Sequence, residues 1–429
     1  MSHPESSRQS KGTVAVIGSG IVGITTALEL QDAGYQVTLF DKTDPATETS
    51  FGNASFIAIE ITEPQSTPSN ILSAIKLLFS DNAALKVTPD YFFSFIPWGL
   101  KFLREAVKTR REKSREATIQ LNKHAISAWK TLLNKTKNTN LLHKSGYLQV
   151  WEKASDMKQA EQLQQEMQAQ GIACEMLTGS KLFEKEPVLS KNIKHALYSP
   201  DSLQLLDPYE TAIGLFDHFM QQGGSFQRVT IKHITTPNQR VNLETSNGDF
   251  TLDKLVICAG VWSKKLLEGL NLNVPLVAER GYHLTLPDSP VKYRHMIKSV
   301  DRNVMLTPLI TGMRITGFAE FANIGSKPVE KRYKTLCNHL NAIIQDISCD
   351  KQQASKWMGN RSTLPDSLPV IDLHPEHPQI GMVFGHQHLG LTQAPISAKI
   401  ITALLDNDNN NQTLKDFKDV LSYFSVSRF

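Results

Sequence analysis

Three glycines and one aspartate near the start of the chain have the spacing that dinucleotide binding requires. Gly18, Gly20 and Gly23 follow an apolar β-type run and precede a helical pattern, and Asp41 ends the next β-type run. The first glycine allows a tight turn, the second lets a pyrophosphate approach the backbone, and the third lets the helix pack on the strand. The N–H groups at the helix start then face the phosphates, and Asp41 can accept a hydrogen bond from a ribose hydroxyl. The pattern indicates dinucleotide binding but does not separate FAD from NAD.

Two later segments repeat this sequence of buried strand, small-residue turn and helix. Residues 255–263 pass from an apolar run through Ala259 and Gly260, and residues 382–392 pass through a glycine-rich turn into a further helical pattern. Each turn brings backbone N–H groups close to a ligand. The nucleotide-binding domain is therefore predicted to consist of several separated pieces of the chain.

The intervening stretches have a different character. Residues 64–200 are rich in helical patterns, whereas residues 275–350 begin with β-type runs and end in a helix. We therefore predict an α/β (mixed α+β) protein in which a discontinuous Rossmann-type domain is interrupted by an antiparallel-sheet-plus-helices substrate domain. The predicted boundaries are a disordered N-terminus at 1–12, a nucleotide domain at 13–63, 201–270 and 352–429, and a substrate domain at 64–200 and 271–351.

Composition sets limits on the possible partners. The chain has 429 residues, 40% hydrophobic and 21% charged, and a net charge of +4 that argues against nucleic acid as a partner. The polar first residues show no signal-peptide pattern, and no apolar run reaches bilayer length. We expect a cytoplasmic protein without a metal site. Its four cysteines lie far apart or in apolar contexts, so we interpret them as reduced: Cys174, Cys258, Cys337 and Cys349.

Five blocks together give the chain a specific resemblance. They are residues 14–41; 48–55, Glu-Thr-Ser-Phe-Gly-Asn-Ala-Ser; 255–263; 280–284, Arg-Gly-Tyr-His-Leu; and 359–386, from Gly-Asn-Arg through Pro-Asp-Ser-Leu-Pro-Val-Ile to Gly-His. Their order and spacing resemble the FAD-dependent D-amino acid oxidase superfamily, within it the bacterial D-amino acid dehydrogenase small-subunit group. Two positions depart from that pattern, Asp41 where glutamate is common and Ser362 where proline is usual.

The resemblance implies FAD-dependent oxidative deamination of D-amino acids, with hydride transfer from the substrate α-carbon to flavin N5. Residues 386–392 resemble, more weakly, members that act on D-hydroxyproline-like imino acids, which favours cyclic substrates such as D-proline or cis-4-hydroxy-D-proline. The expected electron acceptor is a quinone or another carrier rather than oxygen. Non-covalent FAD is expected because no cysteine follows Cys349.

Three side chains are predicted to be catalytic. Arg361 is the first candidate for binding the substrate carboxylate, because a guanidinium offers a planar two-donor fork. Tyr282 could bind the carboxylate or close the site, and alternation along the strand puts Arg280 on the same face. His388 and its neighbour His386 lie in the last glycine turn, and the sequence does not decide which of them touches flavin or substrate.

The remaining cofactor contacts are assigned by the resemblance, from the helix start, the loop after Asp41, the adenine side and the later glycine turns. They are Gly18, Gly20, Ile21, Val22, Gly23, Asp41, Lys42, Ser50, Asn53, Ala54, Ile231, Ala259, Gly260, Gly359, Gly385, His386, His388, Leu389, Gly390, Leu391 and Thr392.

Residues 91–116 combine an apolar, aromatic start with a basic end. Such a helix could lie on the anionic inner face of the cytoplasmic membrane, where a quinone would be within reach. The first interpretation, however, is an ordinary two-sided helix of the substrate domain whose charges are solvated.

Three other functions stay open at this point. An NAD-dependent opine-type dehydrogenase shares the first fingerprint but does not account for the later glycine turns. A glycine- or sarcosine-type oxidase that produces hydrogen peroxide fits the same family. A non-catalytic flavoprotein subunit that supports a partner is the third alternative.

Overall fold

The structure, a computed structural model, describes residues 10–68, 70–72, 85–287, 289, 291–347, 349, 354–408 and 410–429. Most of the predicted disordered N-terminus, and a part of the stretch 64–200, lie outside these residues. The strands are β1 Thr13–Ile17, β2 Gln36–Asp41, β3 Phe56–Ile57, β4 Leu85–Val87, β5 Leu142–Lys144, β6 Tyr147–Trp151, β7 Glu175–Thr178, β8 His195–Ser199, β9 Leu203–Leu205, β10 Ser225–Arg228, β11 Ile231–Thr235, β12 Val241–Thr245, β13 Gly248–Leu252, β14 Lys254–Ile257, β15 Val277–Leu286, β16 Met296–Ser299, β17 Val304–Leu309, β18 Gly312–Phe321, β19 Ser355–Thr363, β20 Val370–Leu373 and β21 Ile380–Phe384.

The helices of the described residues connect these strands. They are Ile21–Asp32, Phe92–Glu105, Lys108–Lys135, Met157–Ala169, Gly179–Lys185, Pro208–Gln221, Ser263–Glu268, Glu330–Ile343, Gly390–Leu405 and Gln412–Phe417.

A largely parallel sheet carries the first fingerprint. Its order within the described chain is β10-β2-β1-β14-β21-β20, and only the edge strand β20 runs antiparallel. Strands β1, β14 and β21 are apolar and buried throughout or nearly so, as parallel strands covered on both faces must be. The sheet joins three distant stretches of the chain, as the repeated strand-turn-helix pattern predicts.

One face of this sheet is covered by two helices, Ile21–Asp32 and Gly390–Leu405, whose apolar residues share one core with β1 and β2. The helix Lys108–Lys135 joins the same core through Trp129, whose indole N–H donates to the Leu391 carbonyl at 2.9 Å. This helix lies within residues 64–200, which the sequence assigns to the substrate domain, but it packs on the parallel sheet of the nucleotide-binding domain.

A second, larger sheet follows the order β19-β15-β18-β17-β16-β6-β8-β7, with β4 beside β18. The strands from β19 to β17 pair antiparallel. One face packs on the helix Glu330–Ile343 around an apolar core, and the other face turns toward the parallel sheet. The mixed α/β fold class is thereby confirmed.

The cysteines require a correction. Cys337 and Cys349 form a disulfide, with their Cα atoms 5.5 Å apart. Cys337 lies on the buried side of the helix Glu330–Ile343, and the chain turns back after the helix to bring Cys349 alongside it. The prediction that all four cysteines are reduced was wrong. Two cysteines 12 residues apart can form a disulfide when the intervening chain turns back and brings their Cα atoms close together. Cys174 and Cys258 are buried free thiols.

Candidate functional site

The first glycine turn forms a cradle whose shape depends on missing side chains. Gly18 has φ +108°, and a Cβ there would lie 2.5 Å from the Cys258 carbonyl oxygen. A Cβ on Gly23 would overlap the carbonyl of Gly18. The strands β1 and β14, the helix start and the turn before Ala259 therefore approach one another as closely as backbone allows.

The helix that follows offers a positive pole. Gly20 is its N-cap and makes no side-chain capping bond, and its first turn holds no acidic residue. The N–H of Ile21 donates to the Ser50 hydroxyl at 2.9 Å, which joins the cradle to the loop after β2. A helix start of this kind, with Val22 and Gly23 in its first turn, suits a pyrophosphate.

Asp41 stands at the end of β2 beside this cradle. Its carboxylate accepts the Ser19 N–H at 2.7 Å and the Thr43 N–H at 3.0 Å, so its orientation is fixed. The Val229 N–H donates to the Asp41 carbonyl at 2.7 Å. Val229 therefore lies directly beside Asp41, whereas the predicted adenine contact Ile231 begins β11 two residues later.

Two further predicted contacts lie near the neighbouring turn. The ammonium of Lys42 lies 4.0 Å from the ring centre of Trp262, just after Ala259 and Gly260. Gly260 has φ +54°, which permits the short turn.

The loop of residues 48–55 is fastened to the large sheet by its own backbone. Arg314 donates to the carbonyls of Phe51 and Asn53 at 3.0 and 2.8 Å, and Thr307 donates to that of Ala54 at 2.8 Å. Burial lowers the pKa of Arg314 to about 10, which leaves it charged. The loop therefore bridges the cradle and the large sheet, between which a bound dinucleotide would lie.

The last glycine turn completes the cradle from the other side. Gly385 has φ +85°, and Gly390 begins a helix that has neither a side-chain cap nor an acidic residue in its first turn. The Thr392 hydroxyl accepts the Ala58 N–H at 3.0 Å, and Leu389 packs with Phe56 of the adjoining strand.

The two histidines of this turn differ in their surroundings. His386 is fully enclosed, shares a 3.0 Å hydrogen bond with the Ser397 hydroxyl, and has its pKa lowered to about 3 by burial. Burial also lowers the pKa of His388 to about 4; nearby Glu279 raises that pKa, whereas Arg361 and Lys298 lower it. His388 is thus the member of the pair that lies near the charged groups of the large sheet.

Alternate residues of the large sheet point toward the cradle. Thr307 and Arg314 establish this face through their bonds to the loop, and the strand register identifies the remainder. We call it the site face; its members are Glu279, Gly281, His283, Thr285, Met296, Lys298, Met305, Thr307, Arg314, Thr316, Trp357, Gly359 and Arg361.

Arg361 crosses the site face over a glycine. A Cβ on Gly281 would overlap the Arg361 guanidinium, so only glycine leaves room for it. Nη1 of Arg361 donates to Glu279 Oε1 at 2.7 Å and to the Phe318 carbonyl at 3.0 Å. Both of these hydrogen bonds use Nη1, and Nε and Nη2 of Arg361 make none within the described part of the chain. These two nitrogens can therefore donate to a ligand. The predicted carboxylate anchor is thereby held in a fixed direction.

A distortion in β18 helps to aim Arg361. Phe318 has φ +69°, and the pairing of β15 with β18 shifts register between Arg280 and Tyr282. Irregularities of this type redirect backbone groups beside functional sites. Here the redirected group is the carbonyl that accepts from Arg361.

Trp357 was not anticipated from the sequence. Cβ atoms on Gly52 and on Gly359 would both overlap its ring, and the ring stacks on His283 with centres 4.9 Å apart. The glycine of the loop and the predicted cofactor residue Gly359 therefore share one function, which is to accommodate an aromatic ring at the edge of the site.

Lys298 was also missed. It lies two residues from Met296, whose side chain packs against Leu389, and opposite Met305 of β17. Burial and the nearby Arg361 lower the pKa of Lys298 to about 8. Its sequence surroundings, Met-Ile-Lys-Ser, carry no motif that could have marked it.

The structure corrects the prediction that Tyr282 faces the pocket. Its hydroxyl donates to Glu320 at 2.7 Å, and its ring packs against Tyr333 in the core on the opposite face of the sheet. Arg280 shares that face, as alternation predicts, and lies 3.6 Å from the same Glu320. Because strand alternation leaves the choice of face open, the sequence could not decide it.

The cradle for a dinucleotide lies opposite a site face that carries Lys298, Arg314 and Arg361. A cofactor site beside a charged substrate site is typical of an oxidoreductase. Residues 13–404 match the DAO family, described as FAD dependent oxidoreductase, and the chain belongs to that family. Its cofactor is accordingly FAD, and the uncapped helix start at Gly20, held by close backbone packing at Gly18 and Gly23, fits the pyrophosphate of that cofactor. The NAD-dependent alternative is thereby set aside.

The chain has relatives across nearly its whole length. It is 28% identical over 395 residues to D-amino acid dehydrogenase of Neisseria gonorrhoeae, covering 90% of this chain and 94% of that protein. It is 26% identical over 424 residues to D-amino-acid oxidase of Bradyrhizobium diazoefficiens, covering 97% and 98%. The glycine oxidase structure from Geobacillus kaustophilus matches its fold with a TM-score of 0.76 at 17% identity, covering 98% and 100%.

Proposed function

We propose that this chain oxidises D-amino acids and that Arg361 binds the substrate carboxylate. The observation that carries the proposal is the guanidinium lying over Gly281, with Nη1 held by Glu279 and Phe318. The curated relatives named D-amino acid dehydrogenase and D-amino-acid oxidase support the same substrate class.

The chain's own contribution to the reaction is orientation. A carboxylate held by two parallel N–H donors fixes the direction of the α-carbon, whose C–H bond breaks. The hydrogen leaves with both bonding electrons, the amine lone pair forms C=N, and water then hydrolyses the imine to a 2-oxo acid and ammonia. FAD, when bound, supplies the two-electron acceptor.

The substrate amine must be neutral before its lone pair can form C=N. His388, with a pKa near 4, is neutral at physiological pH and offers the amine a hydrogen-bond acceptor without repelling it. The apolar residues around Leu389, including Met296 and Tyr147, exclude water from the same region.

Cyclic substrates such as D-proline and cis-4-hydroxy-D-proline belong to this proposal; they form a cyclic imine, whose nitrogen stays attached to the carbon chain, so no ammonia is released. The support is the sequence of residues 386–392, in which His388 adjoins the helix start at Gly390.

Anaerobic mixing with matched D- and L-amino acids tests the substrate class. We expect D-enantiomers to bleach the flavin absorbance and L-enantiomers to leave it unchanged; bleaching by L-enantiomers alone would reject the proposal. Turnover of the isolated chain with a dye acceptor excludes the scaffold alternative. Rapid reoxidation by air with release of hydrogen peroxide would favour the oxidase alternative over the dehydrogenase.

We further propose that the helix Phe92–Glu105 contacts an anionic membrane, where the electrons pass to a quinone. No described helix combines the length and apolarity needed to cross a bilayer. The inner side of this helix packs through Trp98 against Phe321. Its outer side leaves large apolar residues exposed, with Phe93 at 82% and Leu100 at 63%.

Charge at the edge of this apolar surface favours a lipid partner. Lys101, Arg104 and Lys108 are exposed beside it, so a surface with negative headgroups satisfies both the apolar and the basic residues. We expect sedimentation with anionic vesicles but not with zwitterionic vesicles. A Phe93→Ser, Leu100→Ser double variant should lose this binding and keep dye-linked activity, whereas binding that survives the double change would exclude this surface.

A further inference from the structure

Lys298 is a second cation on the site face, separate from the predicted carboxylate anchor. It shares its side of β16 with Met296, which belongs to the same buried apolar cluster as Leu389 of the last glycine turn. The strand register puts Lys298 on the same face of the sheet as Arg361, and both charges lower the pKa of His388.

The acidic group of this cluster is already committed. Glu279 accepts from Arg361 through Oε1 and from the Thr363 hydroxyl through Oε2 at 3.2 Å. Two cations and one carboxylate leave a net charge of about +1, and among the described residues Lys298 has no carboxylate partner of its own.

Lys298 donates to a neutral oxygen, whereas Arg361 donates to the charged carboxylate of Glu279. Among the described residues its ammonium donates to the neutral amide oxygen of Asn303, 2.6 Å away on an exposed turn. A lysine paired with a carboxylate would be satisfied by the protein alone. Lys298 instead carries donors that a ligand can share.

From this arrangement we infer that Lys298 selects substrates carrying an oxygen acceptor on the side chain, either a carboxylate or a hydroxyl. The α-carboxylate binds Arg361, and the side-chain oxygen replaces or joins the Asn303 amide at Lys298. A charge-assisted hydrogen bond of this kind outweighs a neutral one, so apolar side chains bind less well. The inference rests on the proposed function, because it concerns the same pocket.

Matched substrate pairs test the inference with the holoenzyme. Anaerobic rapid mixing gives the dissociation constant and the limiting reduction rate for D-glutamate against D-norvaline, and for cis-4-hydroxy-D-proline against D-proline. We expect the oxygen-bearing member of at least one pair to bind on the order of tenfold more tightly. The first pair identifies a carboxylate and the second a hydroxyl as the recognised group.

Variants identify the residue responsible. Lys298→Met should abolish the preference, because the oxygen contact is lost, whereas the loss of pocket charge should weaken both members of a pair by the same factor. Lys298→Gln keeps a hydrogen-bond donor without the charge, so this variant should retain part of the preference for the oxygen-bearing substrate. Lys334→Met, exposed on the helix behind the sheet, is the matched control.

A binding measurement separates this inference from the proposed function. Glutarate and butyrate, which cannot be oxidised, should perturb the flavin spectrum with glutarate the tighter ligand, and Lys298→Met should equalise them. Failure of every D-amino acid to bleach the flavin would defeat the proposed function but leave this titration informative. Equal affinities in the wild type, or a preference that persists in Lys298→Met, would overturn the role of Lys298.

Discussion

The two walls of the site are built from different material. The first, which we call the cofactor wall, is the cradle of backbone at glycines 18, 20, 23, 385 and 390 with its two helix starts. The second, which we call the substrate wall because of its proposed function, is the site face, whose side chains come from five strands. At Gly18, Gly23 and Gly385 the cofactor wall has no room for a Cβ, and Gly281 and Gly359 of the substrate wall are restricted in the same way by Arg361 and Trp357. The two walls therefore call for different tests, a change of backbone space in the first and a change of side-chain chemistry in the second.

Gly23→Ala should give the largest effect. The new Cβ would overlap the Gly18 carbonyl, so helix and strand must separate and the phosphate cradle opens. We expect purified protein without yellow colour, or no folded protein at all, measured as the ratio of flavin to protein absorbance together with circular dichroism.

Gly99→Ala is the control for this change, because a Cβ there meets Phe95 at an ordinary 3.5 Å within a helix. Full flavin content in Gly23→Ala would show that the cradle can relax and that the cofactor wall is less strict than its geometry indicates.

Arg314→Met should give the next effect, because this residue joins the two walls. Its removal orphans the carbonyls of Phe51 and Asn53, and each buried unsatisfied group costs about 1–3 kcal/mol. We expect a lower melting temperature and FAD binding weakened by tenfold or more, read by fluorescence titration of the apoprotein.

Arg302→Met removes a comparable side chain whose partner is Glu152, away from the loop. If both variants weaken FAD binding equally, Arg314 contributes only general stability and does not act through the loop.

Acid should destabilise the protein through the two buried histidines, an effect of smaller scale. The pKa of His386 is about 3 in the folded protein against 6.5 for the free side chain, so the unfolded chain binds more protons between these values. Its stabilising contribution is present above pH 6.5 and is lost as the pH falls, at about 1.4 kcal/mol per pH unit.

The denaturant midpoint measured between pH 7 and pH 5 checks this sign. His386→Gln should flatten the curve, and it should leave the substrate dissociation constant nearly unchanged. His388→Gln should flatten the curve to a similar extent, because the pKa of His388 is also lowered, and should in addition slow flavin reduction by substrate. An identical loss of flavin reduction in both variants would remove the distinction between the structural and the site histidine.

The sequence anticipates the cofactor wall better than the substrate wall. Glycines at Gly18 and Gly23 are local signals, because the turn that needs them lies within six residues. The pairing of Arg361 with Glu279 spans 82 residues and depends on strand register, which no local pattern encodes. Tyr282 shows the same limit, since alternation grouped it with Arg280 but could not tell which face meets the cofactor. Lys298 stands in an unremarkable strand and becomes noteworthy only beside Arg361.

The most direct test of the substrate wall is rapid-reaction flavin reduction by the best D-amino acid in Arg361→Ala, Arg361→Lys and Tyr282→Phe. A lost bidentate, charge-assisted contact should weaken substrate binding by about tenfold to a hundredfold in Arg361→Ala and slow the limiting reduction. Arg361→Lys should recover little, because an ammonium lacks the planar fork. Tyr282→Phe should behave as wild type, because its hydroxyl serves Glu320 on the far face. Near-normal affinity and rate in Arg361→Ala, or a large loss in Tyr282→Phe, would contradict this account.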